Sequence, residues 1–349
     1  MKKMLKWVVI VIIAFSLLSV VFIGVNFYFV FRRYETPKYS KYLEYEDVKK
    51  DYKRKELTFY SGKNKLQGYL YGEENDKGIV VICHGIFSGA RGYLQEACYF
   101  ADQGYQVFSF DYTGYCNSEG KESVGLRQGV KDLDAALTFV EQDQNFCRGP
   151  LYLYGHSWGG YNVTAVLKYG HPISGVVSMS GFDEPEQVII DWAKKEIGPL
   201  ALLEYPYVDI SQRILFGKEG NASAVQAING CDTPVLLIHG SEDDVVNYHN
   251  VGIMSKRSKI TNPNVIYWIR DEEQQNDHTN LYRSKEAILY LEEMNQKYED
   301  LQKKYGKHLD ANIEKEFYDS IDKKKSSELD SEFMGRVLSF YESCPKVSR

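Results

Sequence analysis

The sequence predicts an α/β domain in which a mainly parallel β-sheet lies between layers of helices. Short apolar runs, such as GIVVICHG (78–85), PLYLYGHS (150–157) and TPVLLIHG (233–240), alternate with amphipathic helical segments. Strands that are apolar along their whole length are typical of a sheet covered on both faces. Their alternation with helices favours parallel strands. A composition of 44% hydrophobic and 26% charged residues in a chain of 349 is that of a globular protein.

An apolar run from Trp7 to Phe31 precedes this domain, with lysines before it and Arg32 and Arg33 after it. As a helix it would be about 38 Å long, which exceeds the roughly 30 Å of hydrocarbon in a bilayer. We therefore predict a transmembrane anchor in residues 1–33. A cleaved signal peptide is the alternative, but its apolar region is normally shorter. Basic residues flank the run on both sides, and the lysine-rich start favours a following domain outside the cytoplasm.

The rest of the chain divides into three parts. Residues 34–56 are charged and tyrosine-rich, without apolar periodicity, and are predicted to be a tether. Residues 57–304 are predicted to form the α/β domain, in which a stretch at about 182–231 interrupts the alternation of strands and helices and is expected to be a helical cap. Residues 305–349 are predicted to be a helical C-terminal extension; a coiled-coil interface with a partner is the alternative reading of the C-terminal helices.

A candidate nucleophile lies in the sequence Gly155-His156-Ser157-Trp158-Gly159. It fits the pattern Gly-x-Ser-x-Gly, and it stands where an apolar run gives way to a helical segment. A sharp strand-to-helix turn exposes the serine hydroxyl, and the glycines allow the strand and the helix to approach closely. A glycine-rich turn that happens to contain a serine is the alternative.

A serine needs a base to take its proton, and that base is usually a histidine oriented by a carboxylate. Of the seven histidines, His278 comes after the last predicted strand and before the last helix of the domain, where such a base belongs. The other six histidines are less suitable as the base. Some of them end apolar runs, and others lie in a turn or within the serine motif. The remaining ones follow the acidic loop too closely or belong to the charged tail.

The loop HGSEDDVVN (239–247) is expected to supply the carboxylate. Asp243 is the preferred acid, and Asp244 is the nearest alternative. Asp183 or Glu184, just after another strand, would also be topologically possible. For all of these acids, a cluster that caps a helix N-terminus is the other interpretation.

Acyl transfer also requires donors for the oxyanion. We expect them to be the backbone N–H groups of Trp158 and Ile86, with Phe87 as the alternative to Ile86. No metal site or cofactor is expected.

The order Ser157, Asp243, His278, together with HGIFSGARGY (84–93) and FDYTGYCNSEG (110–120), resembles the α/β-hydrolase family over residues 57 to about 304. Within it the chain is similar to the serine aminopeptidase and monoacylglycerol-lipase-like, or lysophospholipase-like, subgroup. The resemblance implies an eight-stranded, mainly parallel sheet with a cap. It also implies hydrolysis of an ester, thioester or amide without a cofactor.

We therefore expect a membrane-anchored serine hydrolase that acts on a hydrophobic acyl or lipid-like substrate. The apolar segment PLALLEYPYV (199–208), expected near Trp158 and Phe87, favours an esterase. The alternatives are an aminopeptidase, whose acidic residues would bind a free amino terminus, and a catalytically silent binding protein. The acidic residues considered for that role are Asp183, Glu184 and Glu186. The net charge of −6, with basic and acidic residues interleaved, argues against nucleic acid as a partner, and no protein partner is specified.

Overall fold

The structure, a computed structural model, describes residues 2–217 and 222–347. Its centre is a sheet of eight strands. The strands are β1 (Arg54–Ser61), β2 (Asn64–Tyr71), β3 (Ile79–Cys83), β4 (Gln106–Phe110), β5 (Leu151–His156), β6 (Ile173–Met179), β7 (Val235–Gly240) and β8 (Val265–Arg270). Their order is β1-β2-β4-β3-β5-β6-β7-β8, and only β2 runs antiparallel to its neighbours. The predicted eight-stranded, mainly parallel sheet is confirmed.

Helices flank the sheet and extend from both ends of the domain. Short 3₁₀ segments cover Ala90–Tyr93, Val166–Tyr169, Gly198–Glu204 and Ile253–Lys259. The α-helices are α1 (Lys2–Phe31), α2 (Tyr45–Val48), α3 (Leu94–Asp102), α4 (Gln128–Gln142), α5 (Trp158–Ala165), α6 (Pro185–Ile197), α7 (Tyr205–Phe216), α8 (Ala224–Asn229), α9 (Lys285–Tyr305), α10 (Ala311–Asp319), α11 (Lys323–Ser326) and α12 (Ser331–Ser343).

Alternate residues of each central strand enter two different hydrophobic clusters. Val81 and Leu153 point towards α4 and α5, whereas Val80 and Tyr152 point towards α3 and α12. Because successive side chains of a strand leave opposite faces, a sheet covered on both sides requires apolar residues at every position. This explains the continuous apolar runs of the sequence.

The segments predicted to be a tether and a C-terminal extension both pack on the α/β domain. Leu43 and Val48, from residues 34–56, and Phe333 and Tyr341 of α12 are buried in the same cluster. The first strand also begins at Arg54, three residues before the predicted boundary. Local composition could not reveal this packing, because the partners lie far away in the sequence.

The stretch expected to be a cap, at about 182–231, lies between β6 and β7. Its described residues contain α6, the 3₁₀ segment Gly198–Glu204, α7 and α8. The cap therefore interrupts the α/β alternation as expected. It contacts the N-terminal helix α1 through α7.

Helix α1 is long and apolar enough to cross a membrane, with a mean hydropathy of 3.1 in its most apolar window. Its end is built into the domain, because Phe31 is buried in the main core. Immediately afterwards, Tyr34 N–H donates to the Gly114 carbonyl at 2.9 Å, and Cys116 N–H donates to the Tyr34 carbonyl at 2.8 Å. The junction between α1 and the domain is thus fixed by both side-chain and backbone contacts.

Candidate active site

Ser157 occupies a strained turn between β5 and α5. Its backbone angles, φ +58° and ψ −117°, lie in a region that residues with a Cβ rarely adopt. Holding such a conformation costs on the order of 1–3 kcal/mol, and the surrounding packing must enforce it. A Cβ on Gly155 would lie 2.3 Å from the Gly159 carbonyl oxygen, and one on Gly159 would lie 2.0 Å from the Cys83 carbonyl oxygen. Only glycine therefore permits the strand and helix to enclose the serine this closely.

The structure brings Ser157, His278 and Asp243 into one hydrogen-bonded chain. The His278 Nε2 atom lies 2.9 Å from Ser157 Oγ, and His278 Nδ1 lies 2.8 Å from Asp243 Oδ2. All three residues are buried, and each follows a different strand. With Nδ1–H donating to the carboxylate, Nε2 is left free to accept the proton of the serine hydroxyl.

Asp243 is held as a carboxylate by hydrogen bonds from two backbone amides and His278, with His239 close by; Nε2 of His239 also lies 2.9 Å from the Val246 carbonyl oxygen. Its Oδ1 accepts the N–H groups of Val245 and Val246 at 3.0 and 2.9 Å, in addition to its bonds with His278. Its Oδ2 also lies 3.2 Å from Nε2 of His239, a residue that sequence reasoning treated only as the end of a strand. Burial opposes ionisation, but the hydrogen bonds from His239 and His278 outweigh it and hold the pKa of Asp243 well below its usual range.

A second network joins the loop after β3 to the loop that carries His278. Gly85 N–H donates to the Tyr93 hydroxyl at 3.1 Å, and that hydroxyl lies 2.9 Å from Nδ1 of His156. On its other side, His156 Nε2 lies 2.7 Å from the His278 carbonyl oxygen, to which it donates. Burial, followed by the neighbouring His278, lowers the pKa of His156 to about 3, so its ring is neutral. Sequence reasoning missed Tyr93 because nothing local connects it with His156.

The amides expected to bind an oxyanion lie close to Ser157. Among the described residues, the N–H groups of Trp158 and Ile86 have no recorded acceptor, and Ile86 lines the cavity in front of Ser157. Phe87 lines the same cavity, so Ile86 remains the expected second donor and Phe87 its alternative.

The Trp158 side chain packs beneath the elbow and does not narrow the cavity. Its Nε1–H donates to the Leu126 carbonyl, and its ring lies 4.7 Å from that of Tyr112 and 5.5 Å from that of Tyr115. The indole is therefore core, and the residue is available to the site through its backbone alone.

A cavity of about 440 Å³ opens in front of Ser157. Among the described residues, none from 182–231 lines it, so the cap segment 199–208, which was expected near Trp158 and Phe87, does not border this cavity. Residues of 34–42 occupy that wall instead, and Phe87 lies at the mouth with 55% of its surface exposed. The aromatic lining residues are Tyr34, Tyr39, Tyr42, Phe87, Tyr93, Tyr282 and Tyr318. The cationic lining residues are Lys41, Arg91 and Arg283.

The alternative acids lie elsewhere. Asp244 is exposed. Asp183 Oδ1 accepts from Ser223 Oγ at 2.6 Å and from the Val225 amide at 2.9 Å, which caps the start of α8. Helix capping, the other interpretation of the acidic clusters, thus applies to Asp183.

The acidic residues considered for amino-terminus recognition are also engaged elsewhere. Glu186 forms a buried ion pair with Arg127 at 2.7 Å, and Glu184 accepts from Gln187. Together with Asp183, they contribute nothing to the described lining of the cavity.

Comparisons with known proteins agree with this architecture. Residues 74–218 match the family model described as serine aminopeptidase, S33. The chain is 26% identical over 190 residues to the uncharacterized membrane protein YNL320W of Saccharomyces cerevisiae, which covers 52% of this chain and 60% of that protein. It is 27% identical over 184 residues to the lysophosphatidylserine lipase ABHD12 of Danio rerio, covering 49% and 44%. The chain therefore spans less than two thirds of the length of either relative.

Among solved structures, the esterase Pf2001 of Pyrococcus furiosus has a TM-score of 0.54 and 20% identity, covering 77% of this chain and 98% of the esterase. Likeness at this identity bears on the fold alone. The sheet order agrees with that fold, so the chain has the α/β-hydrolase fold and is similar to the serine aminopeptidases of family S33.

Proposed function

We propose that the chain is a membrane-anchored serine hydrolase that cleaves carboxylic esters through an acyl-enzyme. The observation that carries this proposal is the chain of hydrogen bonds from Ser157 through His278 to Asp243, set at a strained strand-to-helix turn. His278 would remove the Ser157 proton as Oγ attacks the carbonyl carbon, and would then protonate the leaving alcohol. A water molecule, activated by the same base, would release the carboxylic acid.

Charge stabilisation would come from two sources. The ionised Asp243 would stabilise the imidazolium that forms on His278 during each step. The free amides of Trp158 and Ile86 would donate to the oxyanion, and the positive end of the α5 dipole lies behind them. Loss of one such donor typically costs about 3 kcal/mol of transition-state stabilisation.

The lining of the cavity supports an ester with a hydrophobic acyl group over a peptide with a free amino terminus. Its walls are largely aromatic, which favours apolar substrate groups. An amino terminus would need a carboxylate partner, whereas the described charged residues of the lining are Lys41, Arg91 and Arg283. A thioester or amide of a similar acyl group would fit the same chemistry.

The proposal also includes anchoring by α1, with the hydrolase domain outside the cytoplasm. The burial of Phe31 in the domain core and of Ile23 against the cap supports retention of the helix, because cleavage after either residue would remove a buried side chain. The cavity is lined in part by Tyr34 and Pro37, which follow the helix closely in the chain. Substrates that partition into the membrane surface would therefore reach the site over a short distance.

Labelling with a fluorophosphonate probe tests the proposal. The full-length chain should react covalently at Ser157 and hydrolyse a p-nitrophenyl ester, and both signals should disappear in Ser157→Ala. Ser339→Ala, a matched change at an exposed position on α12, serves as the control and should behave like the wild type. If the wild-type chain is not labelled, or if Ser157→Ala still turns over at the wild-type rate, the proposal fails and a binding protein is favoured.

A further inference from the structure

Helix α1 is in contact with the cap along its second half. Ser16 Oγ lies 2.8 Å from the Tyr207 hydroxyl, and Ser19 Oγ donates to Glu204 Oε1 at 3.0 Å. The ring of Phe15 meets that of Tyr207 edge to face at 6.1 Å. Further along, Ile23 is buried in a small cluster with residues of the cap. The part of α1 that projects freely is therefore the segment before Phe15.

That free segment is too short to cross a bilayer. Residues 2–14 form about 20 Å of helix, whereas the hydrocarbon core is about 30 Å thick. A helix needs about 20 residues to cross this thickness. Even if the hydrocarbon core of the bilayer begins at Lys2, it therefore extends to about Val21. Since the contacts with Tyr207 and Glu204 lie within this stretch, any position of α1 that spans the bilayer brings them at least about 3 to 9 Å inside the hydrocarbon boundary.

The surface of the cap at this edge suits hydrocarbon. Large apolar side chains are exposed on the 3₁₀ segment Gly198–Glu204 and on α7. The most exposed are Leu200, Leu202, Leu203, Ile210, Ile214 and Leu215, with 45–77% of their surfaces accessible. Contiguous apolar surface of this kind is rare on soluble monomers and marks an interaction site. Because these residues do not line the cavity at Ser157, substrate binding does not account for them.

A groove of about 400 Å³ runs between α1 and α7. It is lined by Ile23, Gly24 and Phe27 on one side and by Ile210 and Ile214 on the other. Most of its lining is aliphatic or aromatic, with Glu122 and Ser211 as the polar members, so an elongated apolar chain suits the groove.

Arg213 and one carboxylate oxygen of Glu204 have polar partners in this region. Arg213 Nε pairs with Asp209 Oδ2 at 2.9 Å, one turn away on α7. Glu204 accepts the hydroxyl of Ser19. Pairing reduces the cost of moving charged groups out of water.

We propose that the cap segment 198–215 inserts into the bilayer leaflet nearest the α/β domain. Lipid acyl chains would then cover its apolar surface and fill the groove beside α1. This inference rests on the proposed anchoring by α1. It assigns the apolar cap residues to the membrane and leaves the cavity, walled by residues 34–42, to the substrate. The hydrolase would then be held at the bilayer by two elements, which fixes the orientation of the cavity entrance relative to the lipid.

Fluorescence quenching in vesicles tests this inference. Full-length variants carry one introduced cysteine, Val11→Cys on the free half of α1, Ile214→Cys on the cap or Leu289→Cys on α9. The partly exposed Cys147 and Cys231 are replaced by serine in all variants. Each introduced cysteine is labelled with an environment-sensitive fluorophore, and the protein is reconstituted in phosphatidylcholine vesicles containing a lipid with a spin label on its acyl chain. All three substituted side chains are at least half exposed, so the core is left intact.

We expect the labels at positions 11 and 214 to be quenched several-fold more strongly than the label at 289. Quenching at 11 without quenching at 214 would overturn the insertion of the cap and leave the anchor in place. Absence of quenching at 11 would refute the anchor itself, and the insertion with it. A label at 289 that is quenched as strongly as the one at 214 would also overturn the inference, because the effect would then not be specific to the cap.

Discussion

Replacing Asp243 with asparagine keeps the shape of the side chain but removes its charge and changes one hydrogen-bond acceptor into a donor. In Asp243→Asn the amide oxygen can still accept the N–H groups of Val245 and Val246 at the position of Oδ1. The amide nitrogen then replaces Oδ2, the atom that lies 2.8 Å from His278 Nδ1 and 3.2 Å from His239 Nε2. The amide NH₂ group, a donor, would therefore face the ring N–H groups of His278 and His239, which need an acceptor at this position.

His278 can relieve this conflict only by moving its proton from Nδ1 to Nε2, and it then has no lone pair for the hydroxyl of Ser157. In an unrelated serine protease, this wrong tautomer lowers kcat about 10⁴-fold, which corresponds to about 5 kcal/mol of transition-state stabilisation. We expect a loss of the same order here, in kcat for a p-nitrophenyl ester.

Asp244→Asn is the matched control, because it makes the same chemical change at the adjacent, exposed position. It should retain the wild-type rate. Circular dichroism of both variants checks that the fold is preserved. A folded Asp243→Asn enzyme that loses less than about tenfold in kcat, or an equal loss in both variants, would refute the proposed role of Asp243.

Two further predictions concern groups outside the serine, histidine and carboxylate chain. Tyr93→Phe removes the hydroxyl that connects the loop after β3 to His156, and it should lower kcat about tenfold, the value of one buried hydrogen bond; an unchanged kcat would show that this network does not position His278. His171 lies 2.9 Å from Asp134 and 2.7 Å from Glu141; burial opposes its charge, but these hydrogen bonds outweigh burial and raise its pKa. A raised pKa stabilises the fold fully below the unfolded value of about 6.5, and that stability is lost as the pH rises through the folded pKa. Urea denaturation should therefore show a larger loss of unfolding free energy for His171→Gln at about pH 5.5 than at about pH 9, and a difference independent of pH would contradict the ion pairs.

Much of the architecture could be predicted from local sequence patterns. The apolar runs around Val81 and Leu153 indicated strands covered on both faces, because period and composition are properties of neighbouring residues. The Gly-x-Ser-x-Gly pattern could be recognised for the same reason, because the close approach of strand and helix requires glycine at positions 155 and 159. The order of Ser157, Asp243 and His278 along the chain gave a candidate site, and these are the residues that the structure brings within hydrogen-bonding distance.

The sequence by itself therefore determined the strands, the turn that carries Ser157 and the apolar helix at the N-terminus. Only the tertiary structure decided which residues surround the site. It brought His239 to Asp243, turned the side chain of Trp158 into the core and closed the cavity with residues 34–42, where the cap had been expected. These contacts join residues from separate parts of the chain, so they depend on how whole elements pack in three dimensions. No local periodicity or composition encodes that packing.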